Sequence, residues 1–450
     1  MQKINKRQGL MLCSTGLLVV VMLSVLVRFG TWHILIKRAN MDNFITEAIF
    51  VDYDTLHRLK SNVKFPQRER IVWEDMYPFT NNRPVKKVEF ITLEKITKKA
   101  ESIKKRIDNW TNRNLLGYAI WREIGNSYEV SIGWNLIQPM PLGDGSWSFV
   151  YPKSNVNEKC ESIVSLARFV ESNGKHFLYV QAPRKVDPYE DFTIDDVFDF
   201  TNRNMDNAIA RLQGQGVDIL DLRQAVYSWA NEDNVSCHSF FFRTDHHWKS
   251  ETALRAAKVI VNKLGEYGIE GDTSHYDLNG FDVEILPKWF LGSEGRYATL
   301  SRVVPDDFSI LHPKFATHVH YKVPELKIDD IGDLEITYNK EVVAVKDFYN
   351  AIPYSMYWHS DKAIANIENL LLPLSDKKVL LIRDSFGDPM GTFLALGVKN
   401  LTLLDLRYFT GSVREYISRH NPDVVMLMYF GAPVGKINWS GQGRDKYDFR

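Results

Sequence analysis

The stretch FFRTDHHWKS at residues 241–250 places one carboxylate, two imidazoles and an indole side by side. In an extended chain, side chains two positions apart point to the same side, so Asp245 and His247 share a face and His246 points away. A carboxylate beside an imidazole accepts its Nδ1–H and fixes the tautomer whose Nε2 acts as a base. The spacing therefore suits the acid and the base of a serine-type triad.

Two other interpretations of this stretch stay open. Asp245, His246, His247 and the nearby His238 could supply metal ligands, although adjacent histidines rarely chelate one ion and no H-E-x-x-H spacing occurs. A polar loop with a purely structural role also fits the residue types. The sequence favours a triad over a metal site and leaves the structural loop as an alternative.

A triad needs a nucleophile, and three serines lie in suggestive contexts: Ser146 in GDGSW, Ser293 in LGSEGR and Ser385 in LLIRDSFGDPM. No strand precedes Ser146, and Ser293 lies in an irregular stretch where it could shape a site. Ser385 follows a buried apolar run and precedes a helical pattern, so free N–H groups of that turn can stabilise an oxyanion. The competing interpretation is a helix cap made by Ser385 and Asp388.

Short apolar runs alternate with amphipathic helical patterns from about residue 155 onward. The predicted strands are HFLYVQAP (176–183), VDIL (217–220), KVLLI (378–382), LTLL (401–404) and VVMLM (424–428). The predicted helices lie around 160–170, 205–212, 251–264, 389–396 and 413–418. This alternation predicts an α/β fold with a mostly parallel sheet and helices on both faces.

Ligands collect at the carboxyl ends of the strands in such open sheets. Polar or glycine residues follow each predicted strand, namely Arg184, Lys185, Asp221, Arg383, Asp384, Ser385, Asp405, Arg407, Tyr408, Tyr429 and Gly431. We therefore expect the site at this edge of the sheet.

Three regions are expected along the chain. Residues 1–40 would hold a cytoplasmic tip and a transmembrane signal anchor, 41–150 a membrane-proximal region of uncertain fold, and 151–450 the α/β domain. An insertion is expected within that domain at about 270–350. It carries two strand-like pieces, LEITYN (334–339) and VVAVKD (342–347).

The N-terminal segment predicts membrane attachment. An uncharged run from Gly9 to Val27 follows Lys3, Lys6 and Arg7, and its 19 residues are about enough to cross ~30 Å of hydrocarbon. The basic cluster predicts an N-terminus in the cytoplasm. A cleaved signal peptide is the alternative, and both interpretations place the residues after about 40 outside the cytoplasm.

Composition argues against several function classes. The 56 basic and 56 acidic residues balance to a net charge of zero, which disfavours a nucleic-acid partner. No glycine-rich phosphate loop occurs, so a nucleotide cofactor is not expected. No other cofactor is predicted, and the histidine spacing leads us to predict no metal. Cys160 and Cys237 could pair in an oxidising compartment or remain buried thiols.

The stretch FFRTDHHWKSETALRAAKVIV resembles the signature of the bacterial DHHW protein family, and the SGNH hydrolase-like acetyltransferase domain of alginate O-acetylation proteins. LGSEGR, LLIRDSFGDPM and LLDLRYF resemble further blocks of that family in the same order, so the resemblance covers about 160–430. It implies a flavodoxin-like three-layer SGNH-type domain in which the Asp-x-His element precedes the serine.

The resemblance also implies roles for particular residues. Ser385 would be the nucleophile, His247 the base and Asp245 the orienting acid. Four further residues are candidates for substrate binding: Arg407, Tyr429, His246 and Trp248.

The activity that the resemblance implies is O-acetyl transfer onto cell-surface or secreted polysaccharide through an acetyl-enzyme. A membrane-bound O-acyltransferase would supply the acetyl group, and the polysaccharide would be the acceptor. Two alternatives stay open. The same triad would serve a polysaccharide O-acetyl esterase with water as the acceptor, and the fold would also suit a non-catalytic surface assembly or binding protein.

Overall fold

The structure is a computed structural model that describes residues 139–142, 144–151, 153–187, 192–194, 197–373, 375–431 and 445–450. The anchor expected over Gly9–Val27 and nearly all of the expected membrane-proximal region lie outside these residues. Among the residues that are described, no helix is both long enough and apolar enough to cross a membrane.

The described strands and helices alternate over most of the chain. The strands are β1 Met140–Pro141, β2 Trp147–Ser148, β3 His176–Gln181, β4 Phe192–Ile194, β5 Val197–Asp199, β6 Ile219–Asp221, β7 Phe281–Phe290, β8 Asp306–Pro313, β9 Val319–Val323, β10 Ile328–Gly332, β11 Ile364–Asn369, β12 Val379–Arg383, β13 Asn400–Leu404 and β14 Val424–Tyr429. The helices are α1 Asn157–Ser172, α2 Thr201–Gln213, α3 Leu222–Asp233, α4 Ser250–Gly265, α5 Ser293–Ala298, α6 Glu341–Ala344, α7 Gly387–Gly397 and α8 Val413–His420. Short 3₁₀ turns cover Cys237–Phe240, Leu278–Gly280, Pro324–Leu326, Leu334–Thr337 and Pro353–Met356.

Eight of these strands form one sheet, in the order β10-β9-β11-β13-β12-β14-β3-β6. The five strands from β13 to β6 are parallel, whereas β11, β9 and β10 pair antiparallel. The sheet is therefore mixed, and the expectation of a parallel sheet holds for only part of it. The short turn Pro324–Leu326 between β9 and β10 allows only antiparallel pairing.

The segment expected as an insertion contributes in two ways. Its first half forms a separate antiparallel hairpin of β7 and β8. Its second half supplies β9 and β10, which extend the main sheet at one edge. The strand-like piece at 334–339 instead begins with a 3₁₀ turn, and the piece at 342–347 falls mainly in α6 and a loop.

The sheet is the middle layer of three. One face carries a cluster of buried residues with side chains from α3, α4 and α7, and the other carries a cluster with side chains from α1, α2 and α8. Alternate residues of β14 point into the two clusters, Met426 into the first and Leu427 into the second. The described residues therefore form a three-layer α/β sandwich.

Both described cysteines are free and buried. Cys160 lies in the cluster on one face of the sheet and Cys237 in the cluster on the other. The sheet separates the two thiols, so they are not paired in this fold.

Candidate active site

Ser385 lies on the turn between β12 and α7. All five residues of β12 are buried, and the chain leaves the sheet through Asp384 and Ser385 before the helix starts at Gly387. A Cβ on Gly387 would lie 2.7 Å from Arg383 Cγ, so this close turn needs glycine. No side chain caps α7, and the hydroxyl of Ser385 points instead to a histidine.

His247 bridges a carboxylate and this hydroxyl. Its Nε2 lies 2.8 Å from Ser385 Oγ, and its Nδ1 lies 2.5 Å from Asp245 Oδ1. Its backbone N–H also donates to Asp245 Oδ1 at 3.0 Å. Both side chains of the Asp-x-His element are buried. The structure therefore brings the three sequence-predicted residues into one hydrogen-bonded line.

The LGSEGR stretch holds Asp245 from its other side. The backbone N–H of Ser293 donates to Asp245 Oδ2 at 2.6 Å. Burial alone would raise the pKa of Asp245, but the neighbouring His247 and His246 and the hydrogen bonds hold it well below its usual range. Asp245 is therefore ionised at neutral pH and can stabilise a protonated His247.

The loop that carries Asp245 is fixed by Asp306 at the start of β8. Asp306 accepts hydrogen bonds from the backbone N–H groups of Arg243 and Thr244 at 2.9 and 2.8 Å. It also accepts the Thr244 hydroxyl at 2.6 Å. The hairpin of β7 and β8 thus positions the Asp-x-His element.

Aromatic rings enclose the imidazole of His247. Tyr354 stacks on it with ring centroids 4.0 Å apart, and Phe386 lies 5.1 Å away. Trp248 packs against Phe386, with ring centroids 5.2 Å apart. These contacts restrict the ring to one orientation.

His246 does not point away from the Asp–His pair as an extended chain would require, because residues 243–247 form turns; its ring lies beside that of His247, with centroids 3.9 Å apart. Its Nδ1 is 3.0 Å from Ser293 Oγ. Burial and the neighbouring His247 lower the pKa of His246 to about 3. This second histidine is therefore neutral at physiological pH.

Two arginines and three carboxylates form a buried network next to the serine. Arg383 Nη1 lies 2.7 Å from Asp361 and 2.8 Å from Asp388. Arg407 pairs with Asp361 and lies 2.5 Å from Asp405. Burial outweighs these cations at Asp388 and raises the pKa of its carboxyl well above the usual range.

Asp384, the neighbour of Ser385, ties the turn to the C-terminal residues. It lies 3.0 Å from Lys446 Nζ and accepts the Phe430 N–H at 3.0 Å and the Phe386 N–H at 3.2 Å. Burial alone would raise the pKa of Asp384, but Lys446, Arg407 and the Phe430 N–H lower it to about 2.

A cavity of about 340 Å³ opens over these groups. Of the predicted site residues it is lined by Ser385, His247, Asp245, His246 and Arg407. Tyr429 and Trp248 do not line it, in contrast to the expectation that they contact substrate. Tyr429 is fully buried with its hydroxyl bonded to the Lys446 carbonyl, and Trp248 is fully buried under Phe386.

The backbone offers one group for an oxyanion. Among the described residues, no acceptor faces the amide N–H of Ser385. An N–H on the nucleophile itself is well placed for the negative oxygen of a tetrahedral intermediate. This assigns only one donor of an oxyanion hole.

Asp245, His246 and His247 also offer ligand atoms within 4.8 Å of one another. Both ring nitrogens of His247 and both oxygens of Asp245 already take part in hydrogen bonds. A cation held by His247 would have to replace either Asp245 or Ser385 as its partner. The observed arrangement suits proton transfer better than ligation.

The three layers, the serine at a strand-to-helix turn and the preceding Asp-x-His element define an SGNH-like α/β domain. The family described as "SGNH hydrolase-like domain, acetyltransferase AlgX" matches residues 146–279, which is less than half of the chain. No curated protein matches the sequence. The resemblance to this acetyltransferase domain and to the DHHW family, predicted from the sequence, is confirmed.

Solved structures share the fold. PatB1 of Bacillus cereus is 19% identical, with a TM-score of 0.53, over 68% of this chain and 98% of that chain. A DHHW family protein from Eubacterium siraeum is 17% identical, with a TM-score of 0.50, over 66% of this chain and 91% of that chain. A PatB1 structure with a sulfonyl adduct is 18% identical, with a TM-score of 0.51, over 67% and 95%. At these identities the likeness concerns the fold.

Sequence reasoning missed several residues that shape the site. Tyr354, Asp361 and Lys446 line the cavity but carry no local signal, because distant segments bring them there. Glu294, within LGSEGR, was also not singled out; it forms a buried ion pair at 2.6 Å with Lys185, which the sequence places after a predicted strand.

Proposed function

We propose that this chain is an O-acetyltransferase that works through an acetyl-enzyme on Ser385. The observation that carries the proposal is the continuous hydrogen-bonded line from Asp245 through His247 to Ser385, all of which line one cavity. The match to the acetyltransferase family over residues 146–279 supports the choice of acetyl as the transferred group.

In the first half-reaction, Ser385 Oγ attacks the carbonyl carbon of the acetyl donor while His247 Nε2 takes the hydroxyl proton. Asp245 stabilises the imidazolium that forms, and the Ser385 N–H donates to the oxyanion. The bond between the acetyl carbon and the leaving oxygen then breaks. His247 returns its proton to that oxygen, which leaves acetyl-Ser385 and the deacetylated donor.

In the second half-reaction, a hydroxyl of the acceptor takes the place of the departed donor. His247 Nε2 removes its proton, and its oxygen attacks the acetyl carbon. The bond to Ser385 Oγ breaks, and the serine recovers the proton from His247. The products are an O-acetylated acceptor and the free enzyme.

The acceptor we propose is a polysaccharide at the cell surface or secreted, and the donor is an acetyl group presented by a membrane-bound O-acyltransferase. The N-terminal apolar run supports a single-pass anchor with the N-terminus in the cytoplasm and the α/β domain outside. A location outside the cytoplasm would separate the site from soluble acetyl carriers, so a membrane partner fits this proposal.

The test uses the full chain purified in detergent, with 4-nitrophenyl acetate as donor, with and without a mixture of oligosaccharide acceptors. We expect nitrophenol release and acetylated sugar, both lost by at least about 10³-fold in Ser385→Ala, because the nucleophile is removed. A sulfonyl fluoride should label Ser385, as read by peptide mass spectrometry.

Three outcomes separate the alternatives. Ser385-dependent release to water, with no sugar product for any acceptor, would favour the esterase. Equal turnover in Ser385→Ala would remove both enzyme proposals. No turnover and no labelling of Ser385 would favour a non-catalytic assembly or binding protein.

A further inference from the structure

His246 and Ser293 form a hydrogen-bonded pair beside Ser385 that the two half-reactions do not use. His246 Nδ1 lies 3.0 Å from Ser293 Oγ, and both residues line the cavity. The side chain of His246 is 21% exposed, so the cavity can reach it.

The pair is held rigidly against the triad. The Ser293 N–H is bonded to Asp245, and the ring of His246 packs on the ring of His247 and lies 5.3 Å from that of Phe430. A Cβ on Gly292 would lie 2.1 Å from Asp245 Cβ, so the backbone just before Ser293 packs directly against Asp245. A ligand group held by this pair would therefore sit at a fixed distance from His247.

The free nitrogen of His246 presents a neutral group. The hydrogen bond of the His246 ring is made at Nδ1, to Ser293 at 3.0 Å, and Asp245 Oδ1 lies 3.6 Å from the same nitrogen. Among the described residues no partner faces Nε2, and the 21% exposed side chain lines the cavity. A neutral imidazole offers one donor or one acceptor, which suits an uncharged hydroxyl better than a carboxylate or a phosphate.

An acceptor must bring one hydroxyl to His247 Nε2, and a sugar ring carries a second hydroxyl on the adjacent carbon. We propose that His246, supported by Ser293, binds this adjacent hydroxyl, so that the acceptor is a vicinal diol. This inference rests on the proposed function. It gives the enzyme a means of favouring sugar over water, since water has no second hydroxyl to bind.

The experiment uses the full chain in detergent, 4-nitrophenyl acetate as donor, and four small acceptors of similar size. These are cis- and trans-1,2-cyclohexanediol, 1,4-cyclohexanediol and cyclohexanol. The readout is the ratio of acetyl ester formed with each diol to that formed with cyclohexanol. Because both amounts in the ratio are measured on the same protein, a variant with a lower overall rate can still be compared with the unaltered protein.

For the unaltered protein we expect at least one 1,2-diol to exceed cyclohexanol and the 1,4-diol by roughly three- to tenfold, the range that one neutral hydrogen bond supplies. His246→Phe keeps a ring of similar shape without nitrogens and should bring the ratio close to one. Ser293→Ala keeps the backbone N–H to Asp245 and should lower the ratio by a smaller factor. His420→Phe, on the exposed surface of α8, is the matched control and should keep it.

The outcomes distinguish this inference from the proposed function. Transfer to all four acceptors at equal rates would overturn the subsite and leave the transferase intact, and so would a 1,2-diol preference that survives both His246→Phe and Ser293→Ala. Ser385-dependent nitrophenol release without any transfer would overturn the transferase together with its subsite. If His246→Phe does not fold, the ratio in Ser293→Ala and the acceptor series on the unaltered protein decide the question.

Discussion

His247 makes a hydrogen bond at each ring nitrogen, to Asp245 through Nδ1 and to Ser385 through Nε2. A neutral imidazole carries one proton, so Nδ1–H donates to the carboxylate and Nε2 accepts from the hydroxyl. The tautomer therefore depends on Asp245 being ionised. The pKa of Asp245, held well below its usual range by His247 and His246, keeps the carboxyl ionised at neutral pH.

In Asp245→Asn, the amide can present its NH₂ to His247 and favour the wrong tautomer, so kcat should fall by about 10³- to 10⁴-fold. KM should change little, because the carboxylate contacts the base and not the acceptor. Steady-state kinetics with 4-nitrophenyl acetate measures both quantities.

A second Asp–His pair supplies the matched control for this change. Asp144 lies 2.8 Å from His238 Nδ1, and neither residue lines the cavity. Asp144→Asn should leave kcat unaltered. A comparable fall in both variants would mean that the loss at Asp245 reflects general damage to the fold.

At the scale of elements, the turn from β7 into α5 is the part that fixes the acid. Gly292 and Gly295 both lie against Thr244, and an added Cβ would come within 2.5 Å of the Thr244 carbonyl oxygen at Gly292 and 2.7 Å of Thr244 Cβ at Gly295. The hydrogen bond of the Gly295 N–H to the Thr244 carbonyl at 2.7 Å locks the two loops together. The glycines of LGSEGR thus serve close packing against the Asp-x-His loop.

Gly292→Ala tests this packing. The new methyl group would overlap Asp245, so the loops must separate, with a loss of about 1–3 kcal/mol in the free energy of unfolding. A displacement of Asp245 by about 1 Å should also lower kcat by roughly 10²-fold. Urea denaturation and kinetics measure the two effects. Gly280→Ala, whose Cβ would meet Phe315 at an ordinary 3.5 Å, should show neither.

The ion pair of Lys185 and Glu294 lies under the same turn. Lys185 Nζ reaches Glu294 Oε2 at 2.6 Å and the Trp147 carbonyl at 2.6 Å, and both side chains are about 1% exposed. Burial raises the pKa of Glu294 to about 7 in spite of Lys185. This pair therefore links the segment after β3 to α5, although removing both charged side chains from water costs considerable free energy.

Glu294→Leu should destabilise the protein by about 3–5 kcal/mol, because it leaves the Lys185 charge buried without its partner. Lys185→Met combined with Glu294→Leu should recover much of that loss, since no charge remains. Urea unfolding of the single and double variants measures the difference. If the double variant is no more stable than Glu294→Leu alone, the explanation by an unpaired charge is wrong.

At the scale of the whole molecule, Asp384 joins three separate parts of the chain. It belongs to the turn after β12, accepts the N–H of Phe430 after β14, and pairs with Lys446 near the C-terminus. Its pKa is about 2 in the folded protein, against an ordinary value of 3.8. Folding therefore favours the ionised form.

This shift predicts an acid-dependent loss of stability. The contribution of Asp384 is fully present above pH 3.8 and is lost as the pH falls through about 2, with a size of about 2 kcal/mol. Asp384→Asn should lower the free energy of unfolding at pH 6, and the gap to the unaltered protein should close toward pH 2. Urea midpoints at several pH values measure the gap. A gap that stays constant with pH would exclude the titration of Asp384 as its cause.

The sequence predicts the parallel part of the sheet better than its antiparallel edge. Each of the five predicted strands is present, as are the helices between them, because buried runs and 3.6-residue periodicity are local signals. The antiparallel edge was not predictable in this way. LEIT at 334–337 has strand-like composition, but Asp333 accepts the Glu335 N–H at 2.9 Å and stabilises a 3₁₀ turn.

The active site also combines residues that local sequence patterns predict with residues that these patterns do not predict. Local patterns single out Asp245, His247 and Ser385, since an alternating spacing and a strand-to-helix turn can be recognised within a few residues. Tyr354 and Asp361 reach the cavity only because the segment before β11 packs against His247 and Arg383, which are distant in sequence. Contacts that depend on such long-range topology leave no periodic trace in the sequence.

The position of β14 has a consequence for how catalytic competence arises. In the sheet, β14 lies between β12 and β3, so residues 424–429 join β3 and β6, which precede the histidine, to β12, which leads into the serine. During synthesis these residues emerge after both His247 and Ser385, which are 138 positions apart. A nascent chain can therefore hold base and nucleophile without aligning them. A chain that ends before Val424 is therefore expected to lack activity although it contains all three triad residues.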